Sequence, residues 1–345
     1  MKFKTIYVVS PANVVTGGPD ALHQLVYYLN AEGIRADLAY YTEKAGLKID
    51  IPAPYQGYIS DFVTFSQIPD EPDIAVVLPD IYPHLAKKFS KAAVYMWWLG
   101  VTNDLMYSAF NKLKFLLKLP VKILINHKNI RSDLRYYVRS FMVMQKYDFR
   151  RERLNVQHLC ASYHAYDYIS ARSARPVTRM IEPISKKFLN RREAWDGQSE
   201  RKDIVLYNPV KCGAFVQSLA KAYPQVTFVP LKGYTQDELI ELYQTAKLYI
   251  DFGEFHGAER MPKEAVLFGC AVITGRHGAS GCYGDVPIPD GYKLDETSVP
   301  PDEIIRKIEY CLAHYDEITD DFNVYRETVL QLEASFVEKI REIFM

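Results

Sequence analysis

The chain has 345 residues and a mass of 39.8 kDa, too long for one ordinary core and suited to two domains of about 150 residues each. Hydrophobic residues make up 48% and charged residues 24%, which argues against wholesale disorder. Lys plus Arg balance Asp plus Glu at 42 each, so no global field draws the chain to nucleic acid or to an anionic membrane.

The five cysteines (Cys160, Cys212, Cys270, Cys282, Cys311) form no CxxC pair and have no histidine at zinc spacing. An odd number without a framework points to a reducing compartment. The opening MKFKTIYVVSPANVV has no long apolar stretch and no small-residue cleavage site, so it reads as a first strand rather than a signal peptide. The longest apolar stretch, Ala92 to Val101, is far short of the roughly 18 residues that span a bilayer. A soluble, cytoplasmic protein is expected.

Ile6 to Val9 is a short β-rich run, followed by Thr16-Gly17-Gly18-Pro19-Asp20. Leu22, Leu25, Val26 and Leu29 then recur at helical spacing, Pro19 suits the first helical position, and Gly33 stops the helix. Arg35–Tyr41, Asp73–Leu78 and Ala92–Leu99 are expected strands. Such alternation predicts a parallel sheet covered on both faces. Lys112 to Arg153 carries twelve Lys and Arg against three acids. Phe110 to Leu124 sets lysines among leucines, which suits peripheral contact of 110–153 with the inner membrane face. A solvated basic helical face explains the same charges, and no nucleic-acid motif accompanies them.

Asn155 to Arg172 returns to strand then helix, and Met180 to Ile184 reads as a strand leading out of the domain. The polar run Asn190 to Asp203 is expected to be the linker. A second α/β series follows: strand Ile204–Tyr207, helix Ala214–Ala222, strand Gln225–Pro230, helix Asp237–Ala246, strand Leu248–Phe252, helix Pro262–Phe268 ended by Gly269, and strand Ala271–Thr274. The expected domains are 1–189 (acceptor side), 190–203 (linker), 204–325 (nucleotide-sugar side) and 326–345 (a helix packing back on the first domain).

The chemistry concentrates between Thr235 and Asp295. Strand Leu248–Phe252 runs into the loop Glu254 to Met261 and a helix opened by Pro262. Ligands of parallel sheets sit at the carboxyl ends of strands, and a helix N-terminus there presents free N–H groups to an anion. Gly257 lets the backbone approach, Arg260 adds a fork suited to phosphate, and Glu264, expected in the first helical turn, suits the vicinal hydroxyls of a ribose. Capping of the helix is the rival account of a Glu at that position, and a surface ion pair that of Arg260. The pattern describes a site for a nucleotide diphosphate.

The run QDELIELYQTAKLYIDFGEFHGAERMPKEAVLFGCAVITG resembles the donor-binding core of GT-B-fold glycosyltransferases, the retaining family 4 type in particular. Glu264-Ala265, Gly269 and Val272-Ile273 carry the likeness, which covers roughly residues 200 to 295. His256 stands eight residues before Glu264, where that family has its first Glu. Lys211 matches the Lys of its phosphate clamp, but Leu206 stands in place of the Arg. The resemblance implies two doubly wound Rossmann-like domains facing a cleft, and transfer of a sugar from a nucleotide diphosphate donor to a glycan, lipid-linked or protein acceptor. It further implies retention, no metal, no cofactor besides the donor, and a role such as polysaccharide biosynthesis. Lys211, Gly257, Arg260 and Glu264 are then donor-binding, His256 is the catalytic-site candidate, and Gly17 and Gly18 lie on the acceptor side or in a plain tight turn. Two rivals stay open: a sugar-nucleotide epimerase of the same fold, and a non-catalytic binding or scaffold protein. Gly275, Gly278, Gly281 and Gly284 suggest a flexible loop or a long turn.

Overall fold

The computed structural model describes residues 2–44, 46–101 and 147–345. The segment expected to touch a membrane, 110–153, lies outside the described residues up to 146. Contacts divide the chain into two units, one of residues 1–161, 165–180 and 339–345, the other of 162–164 and 181–338.

The first unit is built on seven parallel strands: β1 (Thr5–Pro11), β2 (Ala36–Tyr41), β3 (Val63–Thr64), β4 (Ile74–Pro79), β5 (Ala93–Trp98), β6 (Val156–Cys160) and β7 (Val177–Arg179). Their order is β3-β2-β1-β4-β5-β6-β7. Helix α1 (Gly17–Ala31) connects β1 to β2, and α2 (Tyr163–Ser170) follows β6. Every residue of β4, IAVVLP, is buried, as a strand covered on both faces requires. Helix α1 starts at Gly17, which places Pro19 third rather than first. Both positions are open to proline, because first-turn N–H groups have no partner inside the helix. Gly33, at φ +75°, ends the turn after α1. Near the carboxyl terminus Phe344 packs edge-on to Tyr95 at 5.0 Å, and Arg341 pairs with Glu32, so residues 339–345 belong to this unit.

The second unit holds α3 (Lys186–Glu193), β8 (Lys202–Tyr207), α4 (Gly213–Ala222), β9 (Thr227–Pro230), α5 (Gln236–Thr245), β10 (Ala246–Asp251), α6 (Arg260–Leu267) and β11 (Ala271–Thr274). Helices α7 (Pro301–Ala313), α8 (Tyr315–Ile318) and α9 (Asn323–Phe344) follow. The sheet order is β11-β10-β8-β9, again all parallel. Helix α5 opens with a full capping box: Thr235 and Glu238 each accept the other's backbone N–H.

Three expectations need correction. Met180–Ile184 is not a strand; the edge strand β7 ends at Arg179, and the chain leaves the sheet there. The division between units falls at Met180/Ile181 rather than within 190–203. That polar stretch is not wholly a linker, because residues 190–193 close α3, whose Phe188 and Leu189 are buried in the second core. Its polar surface is the outer face of a half-buried helix.

Candidate functional site

Both sheets reverse direction once. In the first, chain order runs outward to either side of β1 and β4; in the second, to either side of β8 and β10. Between two such strands the following loops part, and a crevice opens at the carboxyl ends. In the second unit this crevice is a cleft of about 610 Å³, lined by Lys211, Cys212, Ala214 and Phe215 after β8, Phe252, Gly253 and Glu254 after β10, and His277, Gly278, Glu296 and Thr297 after β11.

Helix α4 starts on this cleft. Its N-cap, Cys212, makes no side-chain cap, which leaves first-turn amides available at the positive end of the helix dipole. Lys211 stands just before it, pairs with Glu259, and reaches the Glu254 carbonyl oxygen at 3.3 Å. Gly253 is required here, because a Cβ would collide with Cβ of Lys211. Beneath them Asp251 closes β10, 1% exposed. It accepts from Tyr249 Oη at 3.0 Å and from Gly253 N–H at 3.1 Å. Burial pushes its carboxyl up to about 6, while Lys211 and these hydrogen bonds pull the other way. The Cys212 thiol is pushed up to about 12, chiefly by burial, so it is no nucleophile at neutral pH.

The loop after β11 is tied down at several points. The Phe255 N–H donates to His277 O at 3.1 Å, and Ala279 N–H donates to Phe255 O at 2.9 Å. Gly278, at φ +67°, sits so close to the Phe255 carbonyl oxygen that a Cβ would collide with it. Arg276 grips Asp290 with both terminal nitrogens, at 2.7 and 2.8 Å. The glycine run expected to be a flexible loop thus fastens one strand-end loop to the next. His277, Asp295 and Glu296 each bring one ligand-type atom to within 4.8 Å of the other two.

Of the expected donor residues, Lys211 alone lines the cleft. Helix α6 begins at Arg260, two residues earlier than expected, so Glu264 is its fifth residue and no capping residue. The Glu264 side chain is buried, 3.7 Å from Arg260 and beside the Tyr243 hydroxyl, whose ionisation it opposes after burial itself. Gly257 is buried and His256 half-buried; desolvation drives His256 toward its neutral form, against the nearby Glu254. None of these four lines the cleft. Leu206 is a fully buried core residue in mid-strand, paired with Val229 and Tyr249, and cannot serve as a cation. Sequence reasoning missed Asp251, His277 and Glu296. A carboxylate ending β10 was visible, whereas the last two reach the cleft only through the turn geometry of residues 275–297.

In the first unit, Gly17 and Gly18 open α1 after β1. A Cβ at Gly18 would make an ordinary 3.5 Å contact with Leu99, so crowding does not demand glycine there.

No protein-family model matches the sequence, and no curated protein matches it. Solved structures do. The sucrose-phosphate synthase of Thermosynechococcus elongatus superposes with TM-score 0.60 at 12% identity, over 99% of this chain and 98% of that one. Anabaena HepE, in complex with UDP and glucose, gives 0.59 at 10% over 98% of each chain. WaaG, a glycosyltransferase involved in lipopolysaccharide biosynthesis, gives 0.53 at 10%, over 97% of this chain and 99% of that one. The two parallel sheets, their strand orders and this likeness over the whole chain establish the GT-B fold, two Rossmann-like units in one polypeptide.

Proposed function

We propose that this chain transfers a sugar from a nucleotide diphosphate donor to a glycan, lipid-linked or protein acceptor. The observation that carries the reading is the cleft between the ends of β8 and β10, where Lys211 and the uncapped start of α4 face the same space. That combination suits a diphosphate. Backbone amides aimed at the developing charge, with one ammonium, stabilise a leaving nucleoside diphosphate without reorganisation at the moment of reaction. Lys211 is held in place by Glu259 and exchanges that partner for phosphate oxygens as donor enters. Retention at the anomeric carbon and independence from metal belong to the same proposal, as does action on surface polysaccharide or lipid-linked glycan. HepE, which carries UDP and glucose, and WaaG, which acts in lipopolysaccharide biosynthesis, are similar folds consistent with it.

The test is a thermal-shift screen of UDP, GDP, ADP and their glucose conjugates, followed by release of the nucleoside diphosphate in the presence of acceptor glycans. A ligand present at a hundred times its dissociation constant stabilises the native state by about 2.7 kcal/mol. Stabilisation that disappears in Lys211→Ala supports the reading, and no shift with any of the set rejects it. A second reading keeps the fold but drops the transfer. It is favoured by the core position of Leu206 and the burial of Glu264 outside the cleft lining, and it predicts that donor is never consumed.

A further inference from the structure

The cleft that Lys211 lines also holds two polar atoms without a hydrogen-bond partner among the described residues. Nε2 of His277 and Oε2 of Glu296 are both shielded from solvent, and neither has a hydrogen-bond partner among the described residues. They lie 3.8 Å apart, too far to satisfy one another. Asp295 Oδ1 lies 3.3 Å from Nε2 of His277 without hydrogen-bond geometry, and accepts from Thr297 N–H at 3.0 Å and from Thr297 Oγ1 at 2.7 Å.

Orphaned buried polar atoms cost about 1–3 kcal/mol each, so their persistence calls for a partner. These two are also held firmly. Leu294 N–H donates to Thr274 O at 2.8 Å, which fixes the start of the Asp295-Glu296-Thr297 turn against the end of β11. Gly275 admits the carboxylate: a Cβ there would lie 3.2 Å from Oε2 of Glu296 and 3.1 Å from the Phe252 carbonyl oxygen. His277 is carried by the pinned loop whose backbone bonds run to Phe255. Burial raises the Glu296 carboxyl, while its own backbone N–H and the nearby His277 pull the other way.

We propose that His277 and Glu296 together read a vicinal diol of the nucleotide-sugar donor. One hydroxyl donates to Oε2 of Glu296 and its neighbour pairs with Nε2 of His277. A bound diol, one hydroxyl to each atom, removes both orphaned groups at once. The proposal rests on the reading of the cleft as a donor site. Ribose and the transferred sugar both offer such a diol, and the experiment separates them.

Binding of UDP, 2′-deoxy-UDP, UDP-glucose, and the GDP and ADP equivalents is measured by calorimetry on wild type, Glu296→Gln and His277→Ala, with unliganded melting temperatures as the check on folding. Glu296→Gln keeps the size of the side chain and is expected to weaken the wild-type ligand by at least tenfold. If the loss appears with the ribonucleoside diphosphate and vanishes with its 2′-deoxy form, the diol is the ribose; if it appears only with the glucose conjugate, it is the sugar. Either outcome supports the proposal. Equal affinity of wild type and both variants for every ligand that wild type binds overturns it while leaving the donor site in place. A wild type that binds none of the set overturns the donor reading and this inference with it. Binding of MnCl2 or MgCl2 alone that both variants lose gives the pair to a cation and also overturns it. If Glu296→Gln melts well below wild type, Gly275→Ala displaces the same carboxylate from behind and must reproduce the loss.

Discussion

The two sheets of this protein reverse direction in the same way and fill the two resulting positions with different chemistry. Behind the Gly17-Gly18 turn of the first unit the contacts are mostly between neutral groups, and the one buried carboxylate of the first turn of α1, Asp20, accepts from Gln24 Nε2 at 2.5 Å. His23 donates from Nδ1 to Pro19 O at 2.5 Å, accepts at Nε2 from Tyr40 Oη at 2.8 Å, and stacks on Tyr55 at 4.1 Å. Tyr55 in turn donates to Thr16 O at 3.0 Å and accepts from Thr16 N–H at 3.1 Å. At the second position, Asp251, Lys211, Glu254, Glu259, His277 and Glu296 crowd the ends of three strands. Equivalent places in equivalent sheets therefore divide the labour. The first is a fastened piece of backbone, and the second gathers the charged side chains on which the proposed ionic ligand would act.

Acidification should pull these regions in opposite directions, and this is the largest effect expected. Burial lowers His23 to about 4 from an ordinary 6.5. A histidine with a depressed native value contributes stability above pH 6.5 that is lost as pH falls toward 4, about 3 kcal/mol in all. Asp251 is raised from 3.8 to about 6, so its contribution is present at low pH and is lost as pH rises through 6. Amide exchange, corrected for intrinsic rates, should show β1 and α1 loosening between pH 6.5 and 4 while β10 tightens. Parallel loosening of both would break the comparison. In Asp251→Asn the tightening of β10 should vanish and the loosening of β1 should remain.

A smaller effect separates glycines by conformation. Gly278→Ala meets both a positive φ and the Phe255 carbonyl oxygen, and should cost roughly 2–3 kcal/mol. Gly57→Ala has open space around it and no positive φ, so denaturant titration should place it within about 1 kcal/mol of wild type. Equal costs would mean that the bridge between the two strand-end loops is not rigid. The least effect is expected at the surface: Lys187→Ala removes the exposed pair with Asp237, 2.6 Å apart, and should shift stability by less than about 1 kcal/mol.

Much of the fold could be read in the sequence because the two cores write themselves in short apolar strands. IAVVLP and AVIT are buried throughout, and the helices between them keep a 3.6-residue stripe. Boundaries were less legible. Helix α6 begins before its proline because the chain bends at residues 257–258 and Glu259 takes the N-cap position, and α3 looks like linker because only Phe188 and Leu189 among its eight residues are buried. The site was legible only in part. Lys211 stands four residues past the end of β8 and two before the glycine that opens α4, a pattern with a local cause. Glu264 carried the resemblance, yet lies buried beside Tyr243 and Arg260. His277 and Glu296 are nineteen positions apart and meet only because Gly275, Gly278 and the Thr274–Leu294 bond fold the loop back on itself. No spacing rule announces such a pair.

The central claim is that the crevice between β8 and β10 holds a nucleoside diphosphate through Lys211 and the start of α4. Calorimetric titration of wild type and Lys211→Ala with UDP, GDP and ADP tests it most directly. The account predicts that wild type binds at least one of them and that Lys211→Ala weakens it by a hundredfold or so, about 2.7 kcal/mol. Equal binding by both proteins, or none by wild type, would contradict it.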